Sequence, residues 1–217
     1  VLHSGCVAIA YNKESNTQRH LVDDPTTDEL DGHTEDILCL ARHPTGSIFA
    51  TGEVGMSPKL LVWSTLNMSK PRTEIQGFFK TAIVACTFSR DGSMIAAVGA
   101  DPDHSIALYK WQTGTLVASS RGSQEKIVCI KWSPFQDYIV TLGVKHCKFW
   151  SLEPFRSKRA EFTKGGRLQT MLCCCFPGPD NTVVGTQDGS LYLFKGFQLS
   201  LVIPCLLYTS DAADDDV

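Results

Sequence analysis

Four times along the chain an apolar strand ends in a polar, turn-rich corner. A second apolar strand follows it to a glycine, and a third closes on an aromatic residue. The copies fall at 37–44, 48–52 and 59–63; at 83–90, 94–99 and 105–109; at 127–134, 138–143 and 146–150; and at 172–177, 182–185 and 190–194. The closing aromatics Trp63, Tyr109, Trp150 and Phe194 are spaced by 46, 41 and 44 residues. A fixed period of this size with several strands per unit marks propeller blades, because one such unit cannot bury its own faces and must stack on the next. Weaker, more polar runs at 72–76, 116–120, 159–162 and 197–202 are expected as fourth, outer strands, which suits an exposed rim.

The corners His43-Pro44-Thr45-Gly46, Ser89-Arg90-Asp91-Gly92, Ser133-Pro134-Phe135-Gln136-Asp137 and Pro177-Gly178-Pro179-Asp180 carry turn chemistry. The fold class is therefore all-β: a partial propeller of about four four-stranded antiparallel blades, at 32–76, 77–120, 121–162 and 163–204, with an N-terminal strand segment at 1–31. In that segment an apolar run at 6–11 and an outer strand expected at 18–21 precede an acidic loop at 23–31. A row of four blades leaves an apolar flank at each end, so a larger domain is expected. Val1 reads as the interior of a protein, with neither an initiator Met nor a basic leader.

The composition, 43% hydrophobic and 20% charged, is that of a globular chain, and no apolar run reaches bilayer-spanning length. A net charge of −3 gives no pull toward nucleic acid, so neither nucleic acid nor membrane is expected as a partner. The stretch from Cys205 to Asp215 resembles the translation of a transposase sequencing adapter, so 205–217 is read as non-native and the genuine sequence is expected to end near Pro204. Losing Asp211, Asp214, Asp215 and Asp216 moves the net charge to about +1, so whole-chain charge decides nothing further. Of nine cysteines, Cys39, Cys86, Cys129 and Cys173 fall in first strands, where they are expected as buried, reduced, apolar residues of an intracellular protein.

Gly32-His33 lies about 30 residues before Trp63, which is the spacing of the Gly-His and Trp-Asp ends of a WD40 repeat, although Ser64 replaces the Asp. In such blades a His, a second-strand Ser or Thr and the Trp can form a buried hydrogen-bond chain. His33, Thr51 and Trp63 are the one trio the sequence offers. No second ligand is spaced to make His33 a metal site.

Other chemistry is weaker. In a strand, at most two of Cys173, Cys174 and Cys175 share a face, and no Cys-x-x-Cys accompanies them, so no metal or cofactor is expected. His146 and Cys147 face apart and do not make a nucleophile pair. Lys164-Gly165-Gly166-Arg167 lacks the strand-to-helix setting of a phosphate loop. Arg156, Lys158, Arg159, Lys164 and Arg167 cluster in one connection, either a solvated loop or a contact for an acidic partner. The first strands carry Leu, Cys and Val where a propeller enzyme would converge acids or ligands, so an enzyme is not expected.

Gln18-Arg19-His20, Gly32-His33-Thr34-Glu35-Asp36-Ile37, Arg42-His43-Pro44 and Ala50-Thr51-Gly52-Glu53-Val54-Gly55 together resemble the echinoderm microtubule-associated protein-like family. The string from Thr141 through His146 to Trp150 resembles a recurring signature of that family, for which packing explains His146 and Trp150. The resemblance covers roughly residues 5–196 and is specific in the first and third copies; the 7–19 segment resembles the end of the family's HELP region. It implies a non-enzymatic cytoplasmic, cytoskeletal scaffold whose propeller engages tubulin or microtubules and other proteins, with Arg156, Lys158 and Arg159 as a contact. The alternative is a WD-repeat scaffold of a ciliary or trafficking complex.

Overall fold

The computed structural model describes residues 1–21, 32–67, 70–163 and 165–205. The expected loop at 23–31, Lys164 and nearly all of the 205–217 tail lie outside the described residues. Among the described residues every regular element is a β-strand.

The N-terminal strands β1 (Leu2–Ser4), β2 (Val7–Asn12) and β3 (Thr17–Leu21) form a three-stranded antiparallel sheet. Four four-stranded sheets follow. The first holds β4 (Ile37–Arg42), β5 (Ile48–Glu53), β6 (Leu60–Ser64) and β7 (Thr73–Ile75). The second holds β8 (Ile83–Phe88), β9 (Met94–Gly99), β10 (Ile106–Lys110) and β11 (Thr115–Ser120). The third holds β12 (Ile127–Trp132), β13 (Tyr138–Gly143), β14 (His146–Leu152) and β15 (Phe155–Arg159). The fourth holds β16 (Met171–Gly178), β17 (Asn181–Thr186), β18 (Leu191–Lys195) and β19 (Gln198–Ile203). Each is an antiparallel meander of sequence neighbours, the topology of a propeller blade.

The core is a series of slabs, each between two consecutive sheets. Val62, Ile83 and Ile95 belong to the slab between the first and second sheets, Val98, Ile130 and Trp150 to the next, and Val140, Met171 and Phe194 to the last. Two-sided burial is why β5 and β6 are buried at every position. The flank of the first sheet is not open as expected: Ala8 and Leu21 of the N-terminal sheet close over Ile37, Phe49, Leu61 and Trp63. The far flank of the fourth sheet exposes Leu172, Leu191, Leu201 and Ile203, each more than two-fifths accessible.

Consecutive sheets are also tied at their corners. His43 Nε2 donates to the Gly92 carbonyl at 3.0 Å, Arg90 Nη1 to the Phe135 carbonyl at 2.9 Å, and Gln136 Nε2 to Asp180 Oδ1 at 2.9 Å. The turn residues that end each first strand thus also fasten it to the next unit. Gly92 has φ +75°, and a Cβ there would lie 2.1 Å from His43 Nε2, so only glycine allows this approach.

Three expectations are corrected by the register. The third outer strand lies at Phe155–Arg159, not 159–162, because Leu152 pairs with Phe155 across a two-residue Glu153-Pro154 turn and the hairpin closes at once. The basic residues Arg156, Lys158 and Arg159 therefore stand on a strand, not in a connection. The second strands do not end in equivalent glycines: Ile37 pairs with Glu53 where Ile83 pairs with Gly99 and Ile127 with Gly143. Cys39 and Cys86 are buried and meet with Sγ atoms 3.6 Å apart across the first two sheets, but Cys129 is half-buried and Cys173 is exposed. Cys173 pairs with Gly185 and so faces the uncovered flank.

Candidate functional site

The buried polar residues of the first sheet form one continuous chain. Trp63 Nε1 donates to Thr51 Oγ1 at 2.8 Å, and Thr51 Oγ1 lies 2.5 Å from His33 Nε2. His33 Nδ1 lies 2.7 Å from Glu53 Oε2. The chain is satisfied with each hydrogen used once: Trp63 to Thr51, Thr51 to His33, and His33 Nδ1–H to the Glu53 carboxylate. Burial alone pushes the Glu53 carboxyl up, but the His33 ring and the backbone N–H groups of Lys59 and Thr34 outweigh it and hold the pKa below its ordinary value. Glu53 supplies a member that sequence reasoning missed. The signal was present in Glu53 standing two residues after Thr51, on the same face of β5.

A second chain lies in the third sheet, where Thr141, which sequence reasoning did not single out, joins the expected structural residues His146 and Trp150. Trp150 Nε1 donates to Thr141 Oγ1 at 2.8 Å, and Thr141 Oγ1 lies 2.8 Å from His146 Nε2. In both sheets the Trp pairs directly with the residue two before the Thr: Phe49 with Trp63, Ile139 with Trp150. The hydroxyl and indole therefore meet on the same diagonal. The source of the imidazole differs, since His33 precedes the first strand whereas His146 opens the third, and Gly143 stands two residues after Thr141 where Glu53 follows Thr51. Burial, then Lys148, His104 and Arg159, lower the His146 pKa to about 3, so its ring is neutral and accepts from Thr141.

The corresponding places in the other two sheets carry neither Thr nor Trp. By register they hold Ala97 with Tyr109, and Val184 with Phe194. Among the described residues the buried Tyr109 hydroxyl has no partner, and burial raises its pKa to about 12. In every sheet these groups are buried inside a blade. Among the described residues no group of three or more His, Cys, Asp or Glu side chains is placed to hold a metal ion.

The accessible chemistry lies on the outer strand β15. Alternation puts Arg156 and Lys158 on the face toward the fourth sheet and Arg159 on the face toward the second. Arg159 there stands beside Lys148, whose ammonium donates to the Gly122 carbonyl and whose pKa is lowered by burial and by Arg159. Arg156 and Lys158 line a cleft of about 430 Å³ with Tyr138, Phe149 and Phe197. Lys158 Nζ sits 4.7 Å from the centroid of the Phe197 ring. Arg167, expected in the same cluster, is drawn away to Asp188 at 3.7 Å.

Radial four-stranded meanders stacked through apolar slabs, two with an internal Trp–Thr–His chain, define the protein as a WD40-type β-propeller segment. The solved structures it resembles agree: "Structure of U3-55K" and "Crystal structure of RRP9 WD40 repeats" each superpose with a TM-score of 0.71 over 89% of this chain, at 18% identity, covering 57% and 56% of those chains. Residues 30–203 match the family model described as the echinoderm microtubule-associated protein first beta-propeller, and the chain belongs to that family. It is 27% identical over 205 residues to the 77 kDa echinoderm microtubule-associated protein of Lytechinus variegatus, covering 89% of this chain and 30% of that protein. It is 29% identical over 201 residues to echinoderm microtubule-associated protein-like 2 of Rattus norvegicus, covering 87% of this chain and 30% of that protein. It is 28% identical over 201 residues to echinoderm microtubule-associated protein-like 1 of Homo sapiens, covering 87% of this chain and 24% of that protein. The chain thus spans less than a third of the length of these relatives.

Proposed function

We propose that this propeller segment is a non-enzymatic docking scaffold for tubulin or microtubules, acting in the cytoplasm at the cytoskeleton. Relatives named as microtubule-associated proteins support the partner. The observation that carries the site is the edge of the third sheet. Arg156, Lys158 and Arg159 are exposed on one short strand, and among the described residues none of them has a carboxylate within ion-pairing distance. Unpaired cations on a rigid strand steer an acidic surface and lose little entropy on contact.

Buried His33, Thr51 and Thr141 support a structural role in place of a catalytic one, because their hydrogen bonds are made inside the blades. The test is co-sedimentation with microtubules, and size-exclusion binding to unpolymerised tubulin, using the protein and the R156E/K158E/R159E variant across a salt series. The variant is expected to bind more weakly and with a shallower salt dependence. Unchanged binding rejects the site.

A further inference from the structure

The cleft beside β15 combines features that bare electrostatic steering does not need. Its floor is aromatic, made by Tyr138, Phe149 and Phe197. These rings are held in place from behind. The Tyr138 hydroxyl lies 3.1 Å from Thr182 Oγ1 and its ring meets Phe176 edge-on, while Phe149 packs against Phe194 with centroids 5.7 Å apart. The rings thus form a preset concave surface. Two cations stand on the wall of β15, and Lys158 is fixed over Phe197. Among the described residues a single carboxylate, Asp137, borders the same cleft.

We propose that this cleft is a peptide-docking site that takes an acidic segment carrying one bulky aromatic or aliphatic side chain. The side chain enters between Tyr138, Phe149 and Phe197, and flanking carboxylates engage Arg156 and Lys158. The volume, about 430 Å³, accommodates one large side chain with its adjoining backbone. The guanidinium matches a carboxylate in a bidentate fork. Asp137 sets the polarity of binding: it repels a carboxylate at one end of the cleft, so the acidic residues lie on the β15 side. It also opposes a phosphodiester backbone, which carries charge at every step along its length. The proposal deepens the scaffold reading above and rests on it for the acidic character of the partner, but it names what charge alone does not: an obligatory apolar anchor.

The experiment is fluorescence-anisotropy titration of the whole protein with two labelled peptides of equal length and charge, one with Phe and one with Ser at the centre of four glutamates. The Phe peptide is expected to bind at least about tenfold more tightly, as burying one aromatic side chain dictates. R156Q and K158Q are each expected to weaken the Phe peptide by several-fold, and F197A to erase the difference between the peptides. K110Q, on the second sheet, serves as the charge control. Equal affinity for the two peptides, equal loss in K110Q, or tighter binding of an oligothymidylate of matching charge overturns the proposal. Melting curves on each variant separate a lost site from a lost fold. Tubulin sedimentation runs in parallel. Peptide discrimination without tubulin binding leaves the cleft standing and removes the partner, whereas tubulin binding without discrimination removes the cleft alone.

Discussion

Thr51 tests the buried chain of the first sheet most directly. It is fully buried, and its hydroxyl is the acceptor for Trp63 Nε1 and the donor to His33 Nε2. Thr51→Val keeps the shape and removes that hydroxyl. Trp63 and His33 are only 2% and 3% exposed, so water cannot replace what is lost. Two buried polar groups are orphaned, each at a cost of about 1–3 kcal/mol, and the desolvation relief of the deleted hydroxyl returns part of it. The net loss is about 2–3 kcal/mol, or a fall in melting temperature of roughly 5–10 °C for a domain of this size. Urea unfolding followed by tryptophan fluorescence reads the first quantity and calorimetry the second. The decisive comparison is the background: in Trp63→Phe the indole N–H is absent, so Thr51→Val orphans only His33 and should cost about half as much. A Thr51→Val loss below about 0.5 kcal/mol, or the same loss in both backgrounds, refutes the assignment.

Other consequences can be measured alongside it. Because the Glu53 pKa is lowered on folding, its contribution is complete above the ordinary value of 4.5 and drains away as pH falls through the folded value; Glu53→Gln should flatten that limb of a stability–pH curve. His146 adds to the same acid loss from higher pH. With its folded pKa lowered from 6.5 to about 3, the unfolded chain binds the proton first, so stability falls as pH drops through that interval, and His146→Phe should remove this component. Gly92→Ala places a Cβ into the His43 ring at a positive φ and should cost about 1–2 kcal/mol from the backbone alone, more as the corner tie breaks; urea unfolding of the variant reads the loss. Maleimide labelling followed by mass spectrometry should modify the exposed Cys173 and Cys175 first and reach Cys39, Cys86 and Cys147 only on unfolding, since burial raises the Cys147 thiol to about 12 and the Cys39 contact, with burial, raises Cys86.

The four meanders were legible because each copy repeats the same local instructions: a β-rich run, a corner of Pro, Gly, Ser and Asp, and an aromatic stop. The chain through His33, Thr51 and Trp63 was legible because Gly-His precedes its strand at a recognisable distance. The matching chain in the third sheet was not, since His146 sits on the far side of Thr141 and only the antiparallel register turns that reversed order into the same geometry. Register also hid the cleft. Arg156, Lys158 and Arg159 read as a basic loop until the Leu152–Phe155 pairing made them a strand and sent Arg159 to the opposite face. Cys173 misled for a different reason: its neighbours in sequence are those of an inner strand, but its exposure depends on what stacks against the fourth sheet.

The corner ties described above run only from one unit to its successor: His43 to Gly92, Arg90 to Phe135, Gln136 to Asp180. A linkage of that kind works like a row of hasps in which no clasp reaches past the adjacent one. Strain applied at one end is handed along stepwise, and each unit can let go of its outer neighbour while still gripping the inner one. Units linked in this way should open one sheet at a time, so that amide exchange changes stepwise from sheet to sheet.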